Sequence, residues 1–299
     1  MSRRVLITGA GGFVGSHLAR GFAELGDEVV AHDRQFDAAT AGRLEGIERV
    51  AGSLTATGLQ PLGRFDLVVH GAAITTAPDQ LAMTGAGHIR ANLDLLLECL
   101  DFAASSRSGT FVFLSSSGVF ADDDGEDVLV ETTPASGTSP YAVAKRAGEI
   151  IAGSAAAGEL MAISVRLGPV YGPFERPRHT RMQVSLVRRW LDAARRGEAI
   201  VVATPEARRD WTYAPDLPRA LDALLRRGAD LTGVVHLTAA DFVTDRQLAD
   251  TIAAMVEGAE VRVERSGDMV RVPMRSDRID LPALIDWTPL AGGLRQILA

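Results

Sequence analysis

Lysine is almost absent from this sequence: the 31 basic residues are arginines plus a single lysine, Lys145. Cysteine is as scarce, with Cys99 alone, so no internal disulfide can form and a reducing, cytoplasmic setting is expected. Positive charge is outnumbered, the formal net charge being -7, which leaves no basic footprint for a phosphate backbone. Nucleic acid is therefore not an expected partner. No uninterrupted apolar run is long enough to span a bilayer, and the chain opens on polar Ser2-Arg3-Arg4 and a strand-like run, unlike a secretory leader. No membrane contact is expected either. What the sequence does have is 46% hydrophobic residues over 299 positions, enough for a large core in one large domain or two interlocked ones.

Arg3 to Thr8 reads as a buried parallel strand whose apolar run ends just before glycine, and Phe13 to Leu25 follows with helical spacing. Further strand-like runs lie at Glu28 to Asp33, Glu48 to Gly52, Phe65 to Gly71, Thr110 to Ser116 and Met161 to Val170, with helical patterns between several of them. Parallel strands need crossover connections, so this βαβα order predicts a doubly wound α/β fold, a parallel sheet with helices on both faces. Two prolines and a glycine in Tyr171-Gly-Pro-Phe-Glu-Arg-Pro177 break the pattern, and residues 1–172 are expected to form the first domain. Beyond it the patterns predict helices near Arg181 to Arg196, Pro215 to Arg227 and Asp245 to Val256. Short strands are predicted at Ala199 to Ala203, Val234 to Thr238 and Val261 to Arg265. Residues 173–208 and 241–299 are assigned to a smaller α/β lobe, with about 209–240 returning to the first domain. The one dense charge run, Asp122-Asp-Asp-Gly-Glu-Asp127, is read as a solvated loop, and no metal is expected.

Thr8-Gly9-Ala10-Gly11-Gly12-Phe13-Val14-Gly15 joins the first strand to the first helix, where a dinucleotide pyrophosphate meets helix N-terminal N–H groups. The spacing is GxxGxxG rather than GxGxxG. Gly9 permits the tight turn, Gly12 lets backbone approach phosphate, and Gly15 lets the helix pack closely on the strand. Asp33 ends the second strand, placed for a carboxylate to accept hydrogen bonds from the adenosine ribose, which favours NAD over NADP. Arg34, beside it, is the residue that could instead pair with a 2′-phosphate.

Tyr141 and Lys145 lie four residues apart at the start of an Ala-rich helical segment, so both side chains project from one face. A phenol titrates near ~10, too high for a base at neutral pH, and a nearby ammonium stabilises the phenolate. That pairing lets Tyr141 serve as general acid or base, with Lys145 also placed to hold the cofactor ribose.

These motifs, with His70-Gly-Ala-Ala73, Asn92, Ser115-Ser-Ser-Gly-Val-Phe120, Arg166-Leu-Gly-Pro-Val-Tyr-Gly172 and Arg209-Asp-Trp-Thr-Tyr213, resemble the extended short-chain dehydrogenase/reductase family over essentially the whole chain. The branch resembled is the NAD-dependent epimerase/dehydratase one. The resemblance implies a Rossmann-type first domain binding NAD and a C-terminal substrate lobe. It places the role of holding the reacting oxygen on Ser116, with Ser117 in reserve as a substrate contact. His70 and Ala72 fall in the wall beside the cofactor, Gly168 and Val170 around the nicotinamide, and Phe13, Val14, Ser115 and Asn92 in the cofactor-contacting set, Asn92 also supporting the catalytic helix. Arg209 resembles an arginine aimed at a substrate diphosphate, although a salt bridge to the domain body, or Arg208 in its place, reads equally well.

Departures from the family pattern narrow the outcome. Dehydratases follow the catalytic threonine with an Asp-Glu pair where this chain has Ser117 and Gly118, which disfavours water loss by that route. Pro169 and His236 stand where asparagines are expected. The leading expectation is a C4 epimerase of a nucleotide sugar; the alternatives are a dehydrogenase of a free sugar acid or hydroxy acid, or a cofactor-sensing protein without turnover. A homodimer through helices at Gly85 to Ser105 and Tyr141 to Ala157 is implied by resemblance alone.

Overall fold

A computed structural model describes residues 2–155, 160–228, 231–239, 241–265 and 272–299. The first half alternates β1 (Arg4–Thr8), α1 (Phe13–Glu24), β2 (Glu28–Asp33), α2 (Ala38–Arg43), β3 (Glu48–Ala51), α3 (Ala56–Leu59), β4 (Leu67–His70), α4 (Gly85–Ser105), β5 (Thr110–Ser116), α5 (Pro140–Ala155) and β6 (Met161–Leu167). The second half carries β7 (Val170–Tyr171), α6 (Leu186–Arg195), β8 (Ile200–Val202), β9 (Arg208–Arg209), β10 (Thr212–Tyr213), α7 (Leu217–Leu225), β11 (Gly233–Leu237), β12 (Val243–Thr244), α8 (Asp245–Ala253), β13 (Val261–Val263) and α9 (Leu290–Leu298). Seven strands form one parallel sheet in the order β11-β6-β5-β4-β1-β2-β3.

Alternation along each strand divides the core between the sheet's two faces. On β1, Val5 and Ile7 join Leu18, Phe22, Leu217 and Leu221 on the face covered by α1 and α7. Leu6, between them, joins Phe65, Leu96, Phe102, Phe111 and Ala152 on the face covered by α3, α4 and α5. Each such fully buried large side chain contributes about 1.5–3 kcal/mol, which is why the strands are near-continuous apolar runs. A third cluster, with Trp190, Leu191, Ile200, Trp211, Leu248 and Leu294, is built from the second half of the chain.

A strand and a helix near the site differ from the sequence pattern. The strand expected at Met161 to Val170 stops at Leu167, because Gly168-Pro169 turns the chain out of the sheet and Pro169 O accepts from Thr212 N at 2.9 Å. Val170–Tyr171 then pairs with Thr212–Tyr213 as a separate ribbon. The helix expected from Arg181 starts at Leu186, where the Ser185 hydroxyl accepts from Arg188 N at 3.1 Å as an N-cap. The helix expected to reach Ala157 is described to Ala155, and residues 156–159 lie outside the described set. The strand at 233–237 extends the large sheet beside β6, and α7 packs on α1, where Gly21 leaves room for Pro218.

Candidate active site

The strand order reverses between β1 and β4, and the carboxyl ends of the strands there open a crevice, the usual ligand position in such sheets. A cavity of about 690 Å³ fills it. The glycine turn contributes Gly9, Gly12, Phe13, Val14 and Gly15; β2 contributes Asp33 and Arg34. Ala72, Ser115, Ser116, Tyr141, Lys145, Gly168 and Val170 complete the part of the lining anticipated from sequence.

The turn is as tight as its glycines suggest. Gly9 has φ +74°, a conformation side chains rarely adopt, and a Cβ there would lie 2.7 Å from Ala72 N and Gly71 C. A Cβ on Gly15 would stand 2.2 Å from Gly9 O, so the helix can rest on the turn only without one. Gly11, which was not singled out from sequence, is equally constrained: its Cβ would meet Gln35 O at 2.6 Å and Asp33 Cγ at 2.7 Å. The Asp33 carboxylate accepts from Gly11 N at 2.9 Å and Gln35 N at 3.3 Å, which fixes it in the cavity wall. N-cap Gly12 supplies no side-chain cap to α1, so the helix's first N–H groups remain for a ligand.

Tyr141 and Ser116 meet over Gly118, where a Cβ would lie 3.2 Å from Tyr141 Cε1 and 3.3 Å from Ser116 Oγ. Ser116 Oγ accepts from Gly118 N at 3.0 Å, leaving its proton to donate. Lys145 Nζ donates to Leu114 O at 2.7 Å and lies 4.5 Å from the Phe113 ring centroid and 5.7 Å from that of Tyr141. Burial pushes the lysine down to about 8 against the opposing pull of Glu149, so it is cationic at neutral pH. The phenol differs from expectation. Burial raises Tyr141 above its ordinary value, and the influences that oppose this are the Ser116 hydrogen bond and the charge of Arg181.

Several anticipated residues stand behind the cavity wall. His70 is buried with Nδ1 2.9 Å from Thr8 Oγ1 and its ring stacked against Phe111 and Phe113. Burial, then the Lys145 charge, pushes it down to about 3, so it is neutral. Asn92 accepts from Ile74 N at 2.9 Å and donates to Ile74 O at 3.2 Å and His88 O at 3.1 Å, clamping a cavity-lining loop to α4. Ser115, by contrast part of the lining, donates to Glu149 Oε1 at 2.6 Å. Glu149, one turn beyond Lys145, also takes Arg166 Nε and Nη2, each at 2.8 Å. Glu149 was missed in the sequence; the Tyr141, Lys145, Glu149 series repeats one helical interval, the signal that could have found it. Ser117 is buried in the turn after β5 and lines neither of the two large cavities.

A second cavity of about 680 Å³ adjoins the first, sharing Ser116, Val170 and Arg181 with it. Arg189, Trp190, Trp211 and Arg209 lie in its wall. Arg209 binds Asp245 in a two-point fork, Nε to Oδ1 at 2.7 Å and Nη2 to Oδ2 at 2.9 Å, so the salt-bridge reading is the one the geometry gives. Arg208 is exposed and stacks on Phe242. Gly168 is hemmed in: a Cβ would lie 2.2 Å from Asp210 Oδ2.

Residues 175–182 cross the mouth of the first cavity as a strap that periodicity gave no means of seeing. On one bank Thr180 O accepts from Thr75 N at 2.8 Å and Thr76 N at 3.1 Å, and His179 O accepts from Thr76 Oγ1 at 2.8 Å. On the other, Arg176 binds Asp37 and, at 3.1 Å, Thr40 Oγ1, while Arg178 Nη2 donates to Gln35 O at 3.4 Å.

An open helix N-terminus, a carboxylate fixed at the ribose end and a tyrosine-lysine pair at the far end fit NAD. The Gly9, Gly12 and Gly15 turn would hold the pyrophosphate, Asp33 the adenosine ribose and Lys145 the nicotinamide ribose. A family model described as the NAD dependent epimerase/dehydratase family matches residues 5–238. The chain is 30% identical over 273 residues to a UDP-glucose 4-epimerase of Streptomyces lividans, covering 84% of this chain and 80% of that one. It is 26% identical over 265 residues to a dTDP-glucose 4,6-dehydratase of Streptomyces niveus, covering 83% and 76% respectively. A solved NAD-dependent NDP-hexosamine 5,6-dehydratase, TunA, of tunicamycin biosynthesis, superposes with TM-score 0.79 at 26% identity over 99% of this chain and 97% of that one. The Rossmann sheet, the NAD cavity and these likenesses agree: the chain is an NAD-dependent enzyme of the extended short-chain dehydrogenase/reductase type and belongs to the NAD-dependent epimerase/dehydratase family.

Proposed function

We propose that this enzyme is an epimerase that inverts a secondary alcohol, at C4, of a nucleotide sugar. The observation that carries the reading is the junction: Ser116 faces both the strapped cofactor cavity and a second cavity of similar volume, with Tyr141 beside it. Bound NAD supplies the acceptor for the sugar's hydride and the source of its return. Tyr141, ionised, takes the hydroxyl proton as the alcohol is oxidised and gives it back on reduction. Ser116 donates to the same oxygen, and its hydrogen bond to Tyr141 together with the Arg181 charge favours the ionised phenol. The second cavity gives the keto sugar room to present its other face. Arg189, exposed in its wall, supplies positive charge for a diphosphate.

The strap favours epimerisation over net oxidation, because a dehydrogenase must exchange its cofactor every cycle and here both banks of the cavity are tied together. The 30% identity to a protein described as a UDP-glucose 4-epimerase supports the same reading. We also propose a homodimer through α4 and α5, which pack together and expose Leu97 (44%) and Ile150 (71%), apolar surface that a second copy would cover. The buried free thiol of Cys99 suits a cytoplasmic setting. Among the described residues, no helix is long and apolar enough to cross a membrane.

The test is incubation with a panel of nucleotide sugars and NAD, separating sugars by chromatography while following reduced-nicotinamide absorbance. A new sugar epimer without net NADH is the expected result. Stoichiometric NADH from free sugar acids or hydroxy acids, with no epimer from any nucleotide sugar, would replace it with the dehydrogenase.

A further inference from the structure

Two strap arginines carry buried guanidinium nitrogens with no acceptor, Arg178 Nη1 and Arg181 Nη1, and both residues line the NAD cavity. A buried N–H without a partner is costly enough that native proteins almost always supply one, so an acceptor from a ligand belongs there. The neighbours of Arg178 say which part of the ligand. Its Nη2 donates to Gln35 O, the same carbonyl that a Cβ on Gly11 would touch at 2.6 Å, so the guanidinium stands over the glycine turn. Arg178 and Arg176 also close a narrow pocket with Gly11, Gly12 and Phe13 at the start of α1.

The charges divide unevenly along the strap. Arg176 is bound by Asp37 and Arg181 by Glu175, through Nη2 at 2.6 Å, whereas Arg178 has no ion pair among the described residues. Below it, the 12-residue α1 begins with no acidic residue in its first turn and no side-chain cap. A cation above and a positive helix end below make a site for a doubly charged group, the nearby Asp33 carboxylate being held by Gly11 N and Gln35 N and Asp37 by Arg176.

We infer that Arg178, backed by Arg181, is the upper jaw of a clamp on the cofactor's pyrophosphate, whose lower jaw is the Gly9 to Gly15 turn. The strap is thereby latched by the ligand as well as by Thr75 and Thr76, and NAD leaves only when the strap lifts. The inference rests on the NAD site and not on the identity of the sugar. The other phosphate that an arginine could meet at this end is a 2′-phosphate, which the nearby Asp33 carboxylate would repel.

The experiment measures equilibrium binding of NAD, NADP, ADP and adenosine, and the dissociation rate of NAD, for wild type, Arg178→Met, Arg178→Lys and Arg181→Met. Circular dichroism and thermal melts verify that each variant keeps the fold. Arg178→Met is expected to weaken NAD and ADP roughly 10-fold or more, to speed NAD release similarly, and to leave adenosine within about twofold. Arg178→Lys recovers part of the loss by restoring charge without the fork, and Arg181→Met gives a smaller loss of the same kind. Equal weakening of adenosine and ADP, an effect on NADP alone, or no change in a folded variant would overturn the clamp. Binding is read without turnover, so failure to find an epimer leaves this result standing, and failure here leaves the epimerase reading standing.

Discussion

The two cavities are nearly equal in volume, about 690 and 680 Å³, yet they are made in opposite ways. The floor of the NAD cavity is a short contiguous turn whose backbone is so close-packed that added Cβ atoms would fall 2.2–2.7 Å from their neighbours at Gly9, Gly11 and Gly15. The second cavity is walled by side chains from segments far apart in sequence, such as Ser116, Arg189, Arg209 and Asp245. A site made of backbone must keep its sequence to keep its shape. A site made of side chains can change ligand by exchanging them, which is why the first cavity identifies the family and the second holds the substrate question.

The largest effect expected falls where the cavities join. Tyr141→Phe removes the proposed proton carrier and should lower turnover by about 10²- to 10⁴-fold, with NAD affinity unchanged by titration. Unchanged turnover would mean that the junction is not the reaction centre. Next, Gly15→Ala should cost about 1–3 kcal/mol in urea melts and weaken NAD sharply, since its Cβ would fall 2.2 Å from Gly9 O. Tolerance of alanine there would break the contrast between a rigid floor and an adjustable wall. In that wall, Arg209→Met leaves the buried Asp245 carboxylate with Thr204, at 3.1 Å, as its remaining side-chain donor among the described residues, which should cost about 1–3 kcal/mol and raise the substrate KM with NAD binding untouched.

The smallest effect is on pH dependence. Lys145, held down to about 8 by burial, loses its charge as pH rises through that value, and turnover should decline with it. Stability should move the other way: the unfolded lysine holds its proton to about 10.5, so between pH 8 and 10.5 the unfolded chain binds more protons and folding gains as pH rises. In the acid direction His70 and His17, each held near 3, stay neutral in the fold but protonate below 6.5 when unfolded, so stability falls as pH drops from 6.5 toward 3. Parallel pH series of turnover and melting temperature check both signs.

What was legible in the sequence was local. The glycine turn spans eight consecutive residues, Tyr141 and Lys145 share one helix face, and the parallel strands are apolar runs, so each announced itself within a few residues. What was not legible depends on chain folding back from a distance. Asp245 reaches Arg209 across 36 residues, and the Thr180 carbonyl reaches Thr75 across 105. The strap lies among prolines with no period to read, so the stretch from Arg181 passed for the start of a helix that Ser185 in fact begins. Gly11 was readable as a glycine but not as a constraint, because the atoms that confine it, Gln35 O and Asp33 Cγ, come from the end of β2.

The most direct test follows one hydrogen. A nucleotide sugar that proves to be turned over would be supplied with deuterium at sugar C4 in ordinary water, and the product's C4 position read by mass spectrometry and NMR. If the hydride leaves to the NAD held in the strapped cavity and returns from it, the C4 epimer retains the deuterium. Hydrogen from solvent at C4, or deuterium released on free NADH without an epimer, would contradict the account.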